Sequence, residues 1–192
     1  MPNAKDTAET RVAGTGSVYI AAYSDVSSNL PSAHDSTLDT DYIELGYTTE
    51  DGVTFTDEPT IERKQAWQAF YPIRILETAR MAKAAFALEQ WNTKALRTAG
   101  GGGAVAAAGT GRKFTPHAAG TVTEWSLVID ITDGTITDRY VIPKCITTSS
   151  LETNLTRTDL AELPVELEAL GEDGVDPWFL FTSDTTAFAA DS

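Results

Sequence analysis

The stretch Thr98–Phe114, TAGGGGAVAAAGTGRKF, holds six of the chain's fourteen glycines beside an Arg-Lys pair. Glycine-rich loops next to cations cradle phosphates, because bare backbone N–H groups approach the ligand closely and the cation neutralises it. A phosphate loop of the Walker type ends in Gly-Lys-Ser/Thr, so that lysine reaches the phosphates and the hydroxyl holds magnesium. Here Gly111 is followed by Arg112, Lys113 and Phe114, and the pattern fails. Gly101, Gly103 and Ala106 match a dinucleotide fingerprint, with Glu124 near the usual offset of the ribose carboxylate. That fingerprint must follow a strand and open a helix. The local pattern instead puts a helix before it and too short a segment after it. The reading for this stretch is a flexible linker.

Other catalytic constellations are thin. His34 and His117 are the two histidines, each in a polar segment, and no zinc-type His/Cys spacing or nucleophile motif is present. Cys145 follows VIPK in a strand-like run and reads as a small buried apolar residue. Asp35, Asp39, Asp41 and Glu44 could ligate calcium in principle, but they lack the glycine and spacing of a calcium loop. No cofactor or metal is expected. The tryptophans Trp67, Trp91, Trp125 and Trp178 read as core or interface anchors, since base stacking calls for neighbouring positive charge.

The elements follow from periodicity. GSVYIAAYS, Gly16–Ser24, reads as a first strand, and a long polar loop over 25–41 follows. Short strands are expected around turn signals at Gly46 and Asp51-Gly52, and most of YPIRILETARMAKAAFALEQ as strand. Asn92 predicts an N-cap for a helix over Thr93–Ala99, with Trp91 and Leu96 at hydrophobic-staple spacing and Gly100 at the left-handed C′ position. In TVTEWSLVIDITDGTITDRYVIP the residues Thr123, Trp125, Leu127, Ile129 and Ile131 alternate onto one face. A two-residue turn at Asp133-Gly134 pairs Ile131 with Ile136 and Leu127 with Tyr140, and drops Asp138 opposite Ile129 on the apolar face. LAELPVELEALG alternates too: Leu163, Val165, Leu167 and Ala169 form an apolar back, and Glu162, Pro164, Glu166 and Glu168 an acidic front. Pro164 marks an edge or a strand start. The expected fold is mainly β, a β-sandwich or partly closed barrel with one short flanking helix.

Charge narrows the function. The chain has 192 residues and a net charge of −14, so general binding to nucleic acid or anionic membrane is disfavoured. One cysteine leaves no internal disulfide framework and fits a reducing compartment. The N-terminal residues carry no apolar core of the signal-peptide kind, and no run of about 18 apolar residues predicts a membrane span. Val12–Glu62 contains ten acids and no Lys or Arg, and Thr158–Ser192 nine acids and no base. Gln90–Thr123 holds Lys94, Arg97, Arg112 and Lys113 and no acid. Such segregation reads either as solvated faces of uneven composition or as complementary surfaces for self-association.

The order of segments then carries a resemblance. NLPSAHDSTLDTDYIELGYTTEDGVTF, AWQAFYPIRILETAR, FALEQWNTKALRTAGGG, WSLVIDITDGTITDRYVIPKC and LPVELEALGEDG succeed one another, with LGYTTEDG at Leu45–Gly52, Ala66-Trp67 and Arg139–Pro143 most distinctive. The chain resembles the major tail proteins, or tail tube proteins, of long-tailed bacteriophages over about Gly16–Trp178. The resemblance implies a single tail-tube domain over 1–192, with an N-terminal arm (1–15), the long loop (25–41) and a C-terminal tail (183–192). It implies hexameric rings stacked into a hollow tube of the virion tail, put together in the host cytoplasm, through which genomic DNA passes without specific binding. Implied partners are further copies of the chain, a tape measure protein, a tail terminator and distal tail or baseplate proteins. No enzymatic activity and no membrane association are implied. Two site expectations accompany it. Glu162, Glu166 and Glu168 line the channel, and Arg112 and Lys113 meet Asp35, Asp39 and Asp41 of another subunit. The alternatives are another virion component, such as a capsid decoration or head–tail joining protein, or a β-sandwich binding module.

Overall fold

The computed structural model describes residues 10–118 and 120–188. The chain runs β1 (Thr15–Ala22), a helical turn α1 (Tyr23–Val26), β2 (Ile43–Glu44), β3 (Thr48–Lys64), β4 (Arg74–Leu88) and α2 (Thr93–Ala99). It continues through β5 (Ala104–Ala108), β6 (Gly111–Thr115), β7 (Glu124–Asp133), β8 (Ile136–Thr147), β9 (Leu163–Ala169) and β10 (Phe179–Thr182). One antiparallel sheet has the order β2-β1-β7-β8-β9-β4-β3, with β10 also on β8, while β5 and β6 form a separate hairpin. Along its edge away from β7, β8 pairs β10 over Asp138–Val141 and β9 over Cys145–Thr147.

The alternating residues named from sequence build the core. Trp125, Leu127 and Ile129 of β7, with Val18 and Ile20 of β1, pack against Leu163, Val165 and Leu167 of β9 and Ala84, Phe86 and Leu88 of β4. Burying a side chain of this size contributes about 1.5–3 kcal/mol. Helix α2 covers this cluster with Ala95 and Ala99. Its seven residues are too few to hold alone, and this packing is what stabilises them. Asn92 caps it as expected, Oδ1 accepting from the Ala95 N–H at 2.8 Å, while Asn92 Nδ2 donates to the Leu45 carbonyl at 3.0 Å. Asn92→Ala removes both bonds; we expect a loss of about 1–2 kcal/mol in urea unfolding. A loss below a few tenths would show that the cap does not secure the helix.

Three expectations need correction. Gly100 is not left-handed: it has φ −83 and is the C-cap itself, and Gly101 at φ +66 takes the C′ position. The Gly101 N–H then donates to Thr98 O and the Gly102 N–H to Arg97 O, which is the Schellman pairing. The rest of the glycine stretch is a β-hairpin rather than a flexible linker, with Ala108 opposite Gly111 and Gly109 at φ +61 opening a two-residue turn. The β3 region is one strand of 17 residues and not several short ones. Residues 49–52 bulge against Ala87 between the pairs Thr48–Leu88 and Val53–Phe86, so Asp51-Gly52 is a bulge and not a turn.

The β7–β8 hairpin closes one residue later than expected. Asp133 pairs Ile136, which puts Ile131 opposite Asp138 and Leu127 opposite Ile142. From Leu127 to the turn partners move by two residues, so side chains keep their faces; past a bulge beyond Leu127 the shift is three, and Trp125 pairs Cys145 instead of Ile142. Asp138 thus sits at the end of the apolar face, where Arg11 Nε lies 3.6 Å from its carboxylate. Strand β9 is interior, between β4 and β8, and Pro164 stands at its second position, before the β8 pairing begins.

A second, smaller cluster lies on the outer face. Ala21, Val26, Tyr42, Val128 and Val141 are buried there beneath Leu38, Phe179 and Phe181. The segment between α1 and β2 is strapped across this face. Tyr42 Oη and Ser126 Oγ are 2.7 Å apart, and Arg139 reaches the carbonyls of Ala33 and Ser36 at 3.1 and 2.7 Å.

Candidate assembly interface

The β3–β4 pair leaves the body of the protein as an arm. From Ala82 to Leu88 the even-numbered residues of β4 are buried in the core. Beyond that point neither face is covered: residues 58–65 are all exposed, as are 73–75 and 77–80. The pairing nevertheless continues to Lys64–Arg74, with a second irregularity after Thr60. A two-stranded ribbon in water is marginal by itself. At its root this one is braced by Asp57, whose carboxylate accepts from Arg80 Nε at 2.8 Å and from Trp178 Nε1 at 3.1 Å. Those two donors, Arg80 first, hold the Asp57 carboxyl below the usual carboxylate range.

The tip of the arm is apolar. Trp67, Phe70 and Tyr71 are 98, 101 and 83% exposed, and Ile73 and Ile75 are open beside them. Singly exposed apolar residues are ordinary, but a contiguous aromatic patch on a projecting element marks a binding surface. Sequence reading placed Trp67 among core or interface anchors without choosing. Three aromatics within five residues, between Lys64 and Arg74 and with no alternation, are the signal that would have chosen the interface.

The acids of β9 lie on its solvent face. Glu166 and Glu168 are half-buried there, and Glu162 is exposed one residue before the strand begins. Register places Thr56, Lys83 and Glu168 in one row of this face and Thr54, Ala85 and Glu166 in the next. Lys83 Nζ sits 3.2 Å from Glu166, which also accepts from Thr148 Oγ1 at 3.1 Å. The face is hydrophilic, with two threonines on one side, Lys83 and Ala85 between, and the carboxylates of Glu166 and Glu168 on the other.

Arg112 and Lys113 are exposed on β6, opposite Ala107 and Ala106. Asp35 and Asp41 are exposed in the strap. Asp39 is half-buried and accepts from the Asp41 N–H at 3.1 Å and Asn29 Nδ2 at 2.8 Å, which lowers its pKa, the Asp41 bond first. Asp39 therefore shapes the strap, and Asp35 and Asp41 present charge outward.

Cys145 is fully buried, and desolvation pushes its thiol pKa up, away from the reactive thiolate. Among the described residues no group of three or more His, Cys, Asp or Glu is placed to hold a metal ion. No helix among them is long and apolar enough to cross a membrane.

The surface thus offers an exposed aromatic arm tip and a sheet face bearing Glu166 and Glu168. A family model described as phage tail tube protein matches residues 3–191. The chain belongs to the phage tail tube proteins. No curated protein matches it. Family and fold agree with the resemblance read from segment order, and they make the chain a structural component of the virion tail.

Proposed function

We propose that this chain acts as one tail-tube domain whose copies form rings, hexameric in the simplest reading, stacked into the conduit for genome ejection. The observation that carries the reading is the aromatic arm. A patch of that kind stays uncovered on an isolated monomer, and association with further copies covers it. Assembly takes place in the host cytoplasm around a tape measure protein, and the tube ends on a terminator and on distal tail or baseplate proteins.

In this reading the solvent face of β9 lines the channel, with Glu166 and Glu168 on the strand and Glu162 at its approach. A conduit must not retain its cargo. Cationic walls would hold the phosphate backbone through counterion release, whereas carboxylates repel it and let it slide. In stacking, Arg112 and Lys113 of one copy meet Asp35, Asp39 and Asp41 of another. Each exposed pair contributes below about 1 kcal/mol and sets register rather than strength.

Electron microscopy of the purified protein tests this directly, with stacked rings as the expected image. Tails carrying Glu162→Gln, Glu166→Gln and Glu168→Gln should assemble at normal length and eject DNA at an altered rate. Unaltered ejection removes the lumen assignment. Arg112→Glu with Lys113→Glu should slow polymerisation most at low salt, and indifference to both charge and salt removes this contact.

A further inference from the structure

Strand β4 carries chemically unlike surfaces at its two ends. At the Arg74 end is the arm tip, with Trp67, Phe70 and Tyr71 exposed and the cations Arg63, Lys64 and Arg74 around them. No acid lies between Arg63 and Arg74, although Lys64 is shared with Glu62 through an ion pair on its own strand. At the Leu88 end, paired with Leu163, is the loop over residues 149–162 that leads into β9. This loop is apolar and acidic at once. Leu151, Leu155 and Leu160 are 43, 76 and 66% exposed, and Glu152, Asp159 and Glu162 stand among them against a single cation, Arg157.

The loop also has shape. It borders an open groove of about 450 Å³ whose walls include Glu152, Asp159, Leu160, Glu162 and Pro164. One end is fixed by Trp91, whose Nε1 donates to the Ala161 carbonyl at 2.7 Å and whose ring stays half-exposed beside it. Asp159 is held in place by the hydroxyls of Thr156 and Thr158 at 3.1 and 3.0 Å.

We propose that the aromatic tip of the β3–β4 arm docks into the 149–162 loop groove of a second copy of the chain, with tip cations against loop carboxylates. The inference rests on the tube reading above and names the receiving surface. The tip and loop of one chain cannot meet, because β4 between them, Arg74–Leu88, spans about 46 Å at ~3.3 Å per residue. A second copy displaced along the strand brings them together. The contact is heterologous and repeats with each added copy. Aromatic side chains seated in a groove supply the strength, and the charges choose the partner surface and orientation.

The test pairs a charge swap with a cross-link. Arg63→Glu with Arg74→Glu should raise the concentration needed for polymerisation about tenfold, the scale of two or three exposed charge contacts. Adding Glu152→Lys and Asp159→Lys to the same chain should restore it, with circular dichroism confirming an unchanged fold throughout. Separately, Phe70→Cys with Leu155→Cys should give a ladder of covalent multimers on oxidation, and either substitution alone no ladder. The native Cys145 is fully buried and does not compete. Wild-type tubes together with a failed swap and no ladder from cysteines at 67, 70 or 71 paired with 151, 155 or 160 overturn the docking site and leave the tube reading standing. Cross-linking of the tip to a different virion protein overturns it too. Absence of tubes from the wild-type protein overturns both.

Discussion

Replacing Trp67, Phe70 and Tyr71 together with alanine should abolish tube formation at concentrations where the wild-type protein assembles, and leave the monomer's melting transition within a degree or two. The two halves of this result have separate causes. The three side chains are almost wholly exposed and make no contribution to the core, so their removal falls in the class of surface changes worth about ±0.5 kcal/mol to folding. At an interface the same aromatics act as anchors, and truncating one such residue costs about 2 kcal/mol or more. One loss of that size multiplies the dissociation constant about thirtyfold, and three act together at every subunit contact. Sedimentation and electron microscopy report assembly, and thermal unfolding reports the fold. Normal tubes from the triple variant would show that the arm has no part in assembly. A large drop in melting temperature would show that the tip folds back onto its own chain.

The second large effect is on stability. Arg139 is buried at 6% exposure on the outer face, and its guanidinium forks onto Asp130 at 2.7 and 2.8 Å. The same group donates to the carbonyls of Ala33 and Ser36. The Asp130 bond, opposed by burial, raises the Arg139 pKa, so the charge is permanent across the accessible pH range. Arg139→Met leaves a carboxylate and two carbonyls without their shared donor, and we expect a loss of about 3–5 kcal/mol. Limited proteolysis should then cut between residues 27 and 42, where the strap has lost its fastening. Lysine cannot reproduce the fork, and Arg139→Lys should recover only part of the loss. Pairing Arg139→Met with Asp130→Asn should relieve some of it, because the stranded charge is gone. A loss under about 1 kcal/mol would mean that the strap is held by its apolar contacts alone.

The legible parts of the fold share one property: an apolar side set by a regular period and packed on the main core. The faces of β7, β8 and β9 read correctly because their alternation records burial, although the β7–β8 pairing did not, and α2 because Asn92 and the apolar residues after it fit only a capped helix. The arm escaped for the converse reason. In TDEPTIERK neither side of the strand is buried, so no period exists to read. The glycine run was ambiguous in another way. Four consecutive glycines satisfy many local patterns, and only the position of α2 decides which of them turns left-handed. The strap depended on a contact between Arg139 and Ser36, 103 residues apart, which no local pattern announces. Glu166 and Glu168 alternate with the core-facing Val165 and Leu167, because alternation fixes sidedness, but sidedness does not say what lies across the gap.

The unlike ends of β4 have a consequence for the finished polymer. A filament joined tip to loop has polarity, like a row of arrows. One terminus offers only unfilled grooves, and the other only bare aromatic arms. A factor that stops growth therefore needs to mimic just one of these two surfaces, and the factor that starts growth must mimic the other. A single molecule recognising both would be redundant. Direction in such a filament is written into each subunit before the first two meet.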